Sequence, residues 1–319
     1  MTPLPTPAAT PAPSPTVSGE NQAYAKSLDH AQDLVRNGDW TGGFKSYLNL
    51  LGTDPSKDEP RQRLENLLGQ ARSDRSRLNQ ATFSELEPEL ERAGKAGVVQ
   101  AMMVLGEYSR ESNPEKALQW YEKAAEQGNV QAMDQAGLLY ATHKNPGDER
   151  KAVDYFTKAA DSGDPTGKYL AGECYYFGKG VPSDEKKAVG YLTEAAALRE
   201  PRAMDLLGTY YRHQKQYEQA RHYYEEAAAN GYALSLSNLG VLYMNGEGVK
   251  RNPEAGANLF RQGAEKGDSV GMLFYANCLA QGIGVQRDMR TATEWYRKAA
   301  KAGNARAIEW CRQNGVDFQ

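Results

Sequence analysis

The chain has 319 residues, 40% of them hydrophobic, with 38 basic and 41 acidic side chains for a formal net charge of -3. A chain of this length can bury a large core, and its apolar share is ordinary for a soluble protein. Charges of both signs are mixed without a basic stripe, which argues against nucleic acid as a partner; no apolar run reaches the length of a membrane span, and the N-terminus lacks the parts of a signal peptide.

Residues 1–20 place Pro3, Pro5, Pro7, Pro11, Pro13 and Pro15 among Thr, Ala and Ser. Such a stretch cannot bury enough apolar surface to fold and favours extended conformations, so it reads as a disordered spacer. A spacer there leads us to expect a larger protein, with a membrane or enzymatic domain upstream. From residue 21 the pattern turns helical. His30, Ala31 and Leu34 fall on one helix, and Gly38-Asp39-Trp40, Gly43, Tyr47, Leu50 and Asp54-Pro55 follow as turn and second helix. Further helices are predicted from Arg61 to Arg72 and from Phe83 to Ala96, the latter ending at Gly97.

The rest of the chain repeats a phrase every three dozen residues or so, the mark of a solenoid whose units stack on their neighbours. An alanine pair and a glycine recur at Ala124-Ala125 with Gly128, Ala159-Ala160 with Gly163, Ala227-Ala228 with Gly231, and Ala299-Ala300 with Gly303. The first helix of each copy carries a small residue, Gly106, Gly137, Gly172, Gly208, Gly240 or Ala276, and in most copies a tyrosine three positions on. The second helix opens behind Asn113, Asp148, Asp184, Asn252 or Asp288, whose side chains suit N-caps. It then carries a small and a bulky residue three apart, such as Ala117 and Trp120 or Ala188 and Tyr191, sharing one face for packing.

The string from Leu239 to Val249, followed by Asn252 and then Ala264 to Gly267, resembles a Sel1-like repeat, the longer relative of the tetratricopeptide repeat. Cys174 to Val181 and Gln281 to Val285 match the same Gly-x-Gly-Val turn, and the resemblance spans about residues 101–306 in six copies. The first and fourth copies lack the glycine turn, and Arg199 stands where the pattern has Gly, which predicts a strained turn there. Residues 21–97 are similar to tetratricopeptide repeats. The resemblance implies an all-α fold, a right-handed α–α superhelix built of helix–turn–helix repeats. The expected organisation is a spacer over 1–20, tetratricopeptide-like repeats over 21–97, six Sel1-like repeats over 98–306, and a closing helix over 307–319.

Enzymatic constellations are thin. His30, His143, His213 and His222 lack metal-ligand spacing, and Ser183-Asp184-Glu185-Lys186 fits a helix cap better than a nucleophile motif. The paired glycines follow no strand and precede no Gly-Lys-Ser/Thr, so they are turns rather than phosphate loops. Cys174 and Cys278 occupy the same repeat position three units apart, too far for a bridge. Cysteine-rich secreted Sel1-like proteins carry a disulfide in each repeat, and this chain lacks that pattern, favouring a reducing, cytoplasmic setting. No catalytic residue, metal or cofactor is expected.

In tetratricopeptide-like arrays the first helices line the concave face, so the resemblance implies a groove formed by Met103, Glu107, Arg110, Asp134, Leu138, Tyr169, Glu173, Tyr176, Arg202, Asp205, Arg212, Ser237, Val241, Met244, Leu273 and Asn277. Its N-terminal half is polar and its C-terminal half apolar. An apolar strip in a groove suits an extended or helical peptide, although Leu234, Val241, Val270 and Leu273 also fit packing between adjacent helices. The expected function is a non-enzymatic scaffold or adaptor for a protein or peptide, monomeric with self-association through an uncapped end as an open alternative. Rival readings are an accessory or regulatory domain of a larger enzyme or membrane-anchored protein, and a hydrolase or peptidoglycan binder.

Overall fold

The computed structural model describes residues 19–53, 58–73, 79–142 and 145–318. The proposed spacer, Asp54-Pro55 and His143 lie outside the described residues, apart from the two residues that open the first helix. Among the described residues there are seventeen α-helices and no strands, and the chain forms two compact units, one ending at Ala132 and the other beginning at Met133.

Unit 1 contains α1 (Gly19–Arg36), α2 (Trp40–Thr53), α3 (Asp58–Ser73), α4 (Gln80–Lys95), α5 (Val99–Ser109) and α6 (Pro114–Glu126). Consecutive helices pack as pairs, α1 on α2 and α5 on α6, and the first helices α3 and α5 also touch. Phe44, Leu51, Leu64, Leu68, Leu86, Leu90 and Leu105 are fully buried in this unit. Each such side chain contributes about 2 kcal/mol by removal from water. Glu65 on α3 accepts from the Val99 and Gln100 amides at 2.7 and 2.9 Å, so a carboxylate serves the positive end of α5.

α7 (Val130–Thr142) runs into unit 2, which continues with α8 (Asp148–Asp161), α9 (Pro165–Phe177), α10 (Glu185–Ala197), α11 (Pro201–His213), α12 (Tyr217–Ala229), α13 (Ala233–Asn245), α14 (Pro253–Glu265), α15 (Ser269–Gln281), α16 (Met289–Lys301) and α17 (Ala305–Gln313). The odd-numbered helices are first helices and the even-numbered ones second helices. The fold is all-α, a solenoid of helix–turn–helix repeats.

The small residues predicted for the first helices do what close helix approach requires. A Cβ on Gly137 would stand 2.5 Å from the Phe156 ring, and one on Gly240 would stand 2.6 Å from the Phe260 ring. Second-helix aromatics stack on the first-helix tyrosines: Tyr140 on Tyr155 at 5.8 Å, Tyr175 on Tyr191 at 6.0 Å and Tyr211 on Tyr223 at 5.4 Å.

Asn113, Asp184, Asn252 and Asp288 cap α6, α10, α14 and α16, each accepting a backbone N–H three residues on at 3.0 to 3.1 Å. Such caps contribute about 1 kcal/mol apiece. Asp148 departs from the expected pattern. It is the first residue of α8, and Gly147, with φ 88°, takes the cap position ahead of it. The strained turn predicted at Arg199 is present, with φ 63°, and Lys215 holds φ 59° in the following repeat. α17 closes unit 2, with Trp310 stacked on Tyr296 at 3.8 Å and Cys311 fully buried.

Candidate functional site

Counted from the small residue of each first helix, the predicted groove residues stand three before it, one after it and four after it, apart from Arg202, which stands six before Gly208. That spacing puts them on one helix face, but adjacent first helices close over part of it. Met103, Asp134, Asp205, Ser237 and Leu273, all three residues before the small one, are buried, with 0 to 7% exposure. They offer a partner no surface, which corrects the reading of these five as groove lining, and Asp134, Asp205 and Ser237 link neighbouring first helices.

Their contacts show the seam. Asp205 accepts from Ser235 Oγ at 2.6 Å and Asn238 Nδ2 at 2.9 Å on the next first helix, and burial raises its pKa against those two bonds. Ser237 donates to Asp268, which also accepts the Val270 and Gly271 amides at 3.1 and 2.8 Å. Asp134 shares a hydrogen bond with Asp164, which caps α9 through the Gly167 amide at 2.7 Å. Burial first, and the Asp164 carboxylate second, push the Asp134 carboxyl up to about 7. Leu273 and Ala276 belong to the closing core with Tyr296 and Cys311.

The remaining predicted residues keep some surface. In unit 1, Arg110 is exposed, and Glu107 is half-buried in an ion pair with Arg72, whose guanidinium also donates to Gln100 at 2.6 Å and Gln131 at 3.0 Å. In unit 2, Leu138, Tyr169, Glu173, Tyr176, Arg202, Arg212, Val241, Met244 and Asn277 are half-buried. Arg202 is forked onto Glu200 at 2.8 and 3.1 Å, and its guanidinium lies 4.6 Å over the Tyr169 ring. Arg212 grips Glu247 at 2.5 and 3.1 Å, and that hydrogen bonding holds the Glu247 carboxyl below its ordinary pKa. Glu173 accepts from Lys179 at 3.2 Å, and Asn277 accepts from the Tyr296 hydroxyl at 2.6 Å.

The apolar C-terminal half does not form an open strip. Val241 and Met244 pack against the buried cluster of Ala257, Phe260 and Cys278. Large apolar side chains are exposed elsewhere, at Phe177, Leu198, Ile283 and Met289, of which Phe177 is the most exposed at 55%. Its ring stands edge-on to Tyr176 at 4.8 Å, Tyr176 meets Tyr210 edge-on at 6.4 Å, and the Tyr176 hydroxyl is hydrogen-bonded to His213 Nδ1 at 3.1 Å. Sequence reasoning named Tyr176 and missed Phe177 and Tyr210. The signal for Phe177 was its place as the last helical residue before Gly178, where the helix ends and no next turn covers the side chain.

No group of His, Cys, Asp and Glu among the described residues could hold a metal ion. Cys174, Cys278 and Cys311 are buried free thiols, and burial raises the first two to about 11. A thiol held that high carries no nucleophilic thiolate near neutral pH. No helix among the described residues is long and apolar enough to cross a membrane.

The model of the Sel1 repeat matches residues 99–129, 132–164, 165–199, 201–232, 233–268 and 269–304. Among solved structures, a Sel1 repeat protein from Oxalobacter formigenes is 24% identical with a TM-score of 0.64, the alignment covering 96% of this chain and 98% of that one. A protective antigen of uropathogenic Escherichia coli strains displaying an SLR fold is 22% identical with a TM-score of 0.56, over 94% of this chain and 74% of that one. Both show the same solenoid fold. With six tandem matches over more than half its length, the chain belongs to the Sel1 repeat family, whose members commonly mediate protein–protein interaction.

Proposed function

We propose that the chain is a scaffold without catalytic activity, and that the first-helix face of unit 2 holds a protein or peptide partner around Tyr176, Phe177 and Tyr210. The observation that carries this reading is the exposed Phe177 ring, set in an edge-to-face aromatic cluster. Exposed aromatics on a rigid helical base supply large contact area at small entropic cost and are favoured anchor points in interfaces. Charged groups rim the cluster: Glu173 with Lys179, and Arg212 with Glu247. Such a rim selects a partner more by orientation than by affinity. Leu138, Tyr169, Arg202, Val241, Met244 and Asn277 extend the same face, with Glu107 and Arg110 on the corresponding helix face of unit 1.

The test places a photo-cross-linking amino acid at Phe177 and, separately, at the exposed Lys186 near the start of α10. A partner captured from source cells at Phe177, absent at Lys186 and lost on Tyr210→Ala, is the expected result. Equal capture at both positions, or none at Phe177, would sink the assignment of this face.

A further inference from the structure

Residues 1–18 hold six prolines and no charged side chain, with proline at every second position from Pro3 to Pro7 and again from Pro11 to Pro15. A stretch of this composition favours polyproline II, which has three residues per turn and no internal hydrogen bonds. Pro3, Pro5 and Pro7 then fall on its three different faces, as do Pro11, Pro13 and Pro15. Every face therefore presents a pyrrolidine ring and carbonyl groups free to accept.

The aromatic cluster of unit 2 offers the complement. α9 and α11 are first helices in contact, and both end at the cluster. Tyr176 and Phe177 are the last two residues of α9, and Tyr210 and His213 lie in the last turn of α11. The rings of Phe177, Tyr176 and Tyr210 meet at interplanar angles of 87° and 78°, so they turn faces as well as edges outward. The Tyr210 hydroxyl has no hydrogen-bond partner among the described residues and remains to donate. The rim of Glu173 with Lys179 and Arg212 with Glu247 is paired within itself, which suits an uncharged segment better than an acidic or basic one.

Resting on the reading of this face as a partner site, we propose that its occupant is the proline-rich segment, residues 3–15, of a second copy of this chain. The prolines pack on the rings of Tyr176, Phe177 and Tyr210, and the Tyr210 hydroxyl donates to one of the segment's carbonyls. Aromatic surfaces take up proline-rich segments because the extended shape is preformed and little entropy is lost on binding. The contact joins two copies because the segment springs from α1, whose packing partner is α2, and solenoid repeats meet only their neighbours.

The experiment is sedimentation equilibrium of the full chain over a wide range of concentration. Wild type is compared with Phe177→Ala and with a variant in which all six prolines of residues 1–18 are replaced by alanine. Wild type is expected to self-associate, and each variant to do so about tenfold or more weakly. Mixing the two variants is expected to restore association, because Phe177→Ala keeps the segment and the proline variant keeps the cluster. That recovery also shows that neither variant has lost its fold. A synthetic peptide of residues 1–18 is expected to dissociate the wild-type assembly. A monomeric wild type, unchanged association of either variant, or no recovery on mixing would each overturn the proposal. Capture of a different protein at Phe177 alone, with wild type monomeric, would remove this occupant and leave the reading of the face standing; equal capture at Phe177 and Lys186 would remove both.

Discussion

The third and fourth Sel1 repeats, residues 165–199 and 201–232, both in unit 2, share one helix pair and differ in how they are joined to their neighbours. In both, a glycine on the first helix lies under a second-helix side chain. A Cβ on Gly172 would stand 2.8 Å from Leu192 Cγ, and one on Gly208 would stand 2.6 Å from the Tyr224 ring. The connections diverge. The third repeat turns through Gly178 and Gly180, both at φ 70°, and Gly180 is laid on the start of α8, where a Cβ would meet the Glu149 carbonyl oxygen at 2.2 Å. Gly248 and Gly284 sit in the same way on Tyr217 and Pro253, at the starts of α12 and α14. The fourth repeat has no such turn and crosses at Lys215 instead. Its tie to the next first helix is the buried Asp205 with Ser235 and Asn238. The helix pair is thus a packing requirement common to all repeats, whereas the second glycine of the turn is a contact with the preceding repeat; the fourth repeat, which lacks it, meets the third through Arg202 over Tyr169 and His213 on Tyr176.

The largest expected effect breaks that contact. Gly180→Ala combines a left-handed backbone with a collision against backbone atoms that cannot move aside, and should lose roughly 3 kcal/mol in urea unfolding. Gly178→Ala shares the positive φ, but its Cβ would have 3.4 Å to the nearest atom, so about 1 kcal/mol is expected. Equal losses at the two positions would remove the distinction between turn glycine and contact glycine.

A second test concerns the buried links along the first helices. Asp134 meets another carboxyl where Asp205 meets a hydroxyl and an amide. Its folded pKa of about 7 lies above the ordinary 3.8, so the folded chain keeps a proton that the unfolded chain releases in between. The resulting stability is full below about 4 and is lost as pH rises through about 7. Asp134→Asn retains a donor for Asp164 without the charge. It should stabilise the chain by on the order of 2 kcal/mol at pH 8, the gain shrinking toward zero near pH 4. A pH-independent difference would show that the two carboxyls do not share a proton.

The smallest effect belongs to the short connection. Lys215→Gly should raise stability by about 0.5–1 kcal/mol, because a β-carbon is disfavoured at φ 59°, and Arg199→Gly should do the same. A loss at either site would mean that the side chain contributes more than the strain costs.

Helices and caps were legible because their causes are local. A side-chain oxygen that reaches its own first turn, as at Asn252 or Asp288, acts within three residues of itself. Asp148 failed the same rule by one position, since Gly147 supplied the turn that admits the helix. The face of each first helix was also legible, whereas its accessibility was not. A period of 3.6 residues points Met103, Asp134, Asp205, Ser237 and Leu273 to the same side as Glu107, Tyr176 and Arg212, and says nothing of how near the next first helix comes. Phe177 and Tyr210 escaped for the complementary reason: a bulky aromatic reads as core unless the neighbour that would cover it is known to be absent.

The sequence by itself determined an all-α solenoid, the helix pairs, the strained turn at Arg199 and the positions where only a small residue fits, because each depends on spacing along the chain or on the conformational freedom of one residue. Only the tertiary structure decided which polar side chains are buried links between first helices, and that Phe177 is open apolar surface while Leu273 is not. Those features depend on distances between helices about a repeat apart, which side-chain volumes and hydrogen bonds settle together when the stack closes.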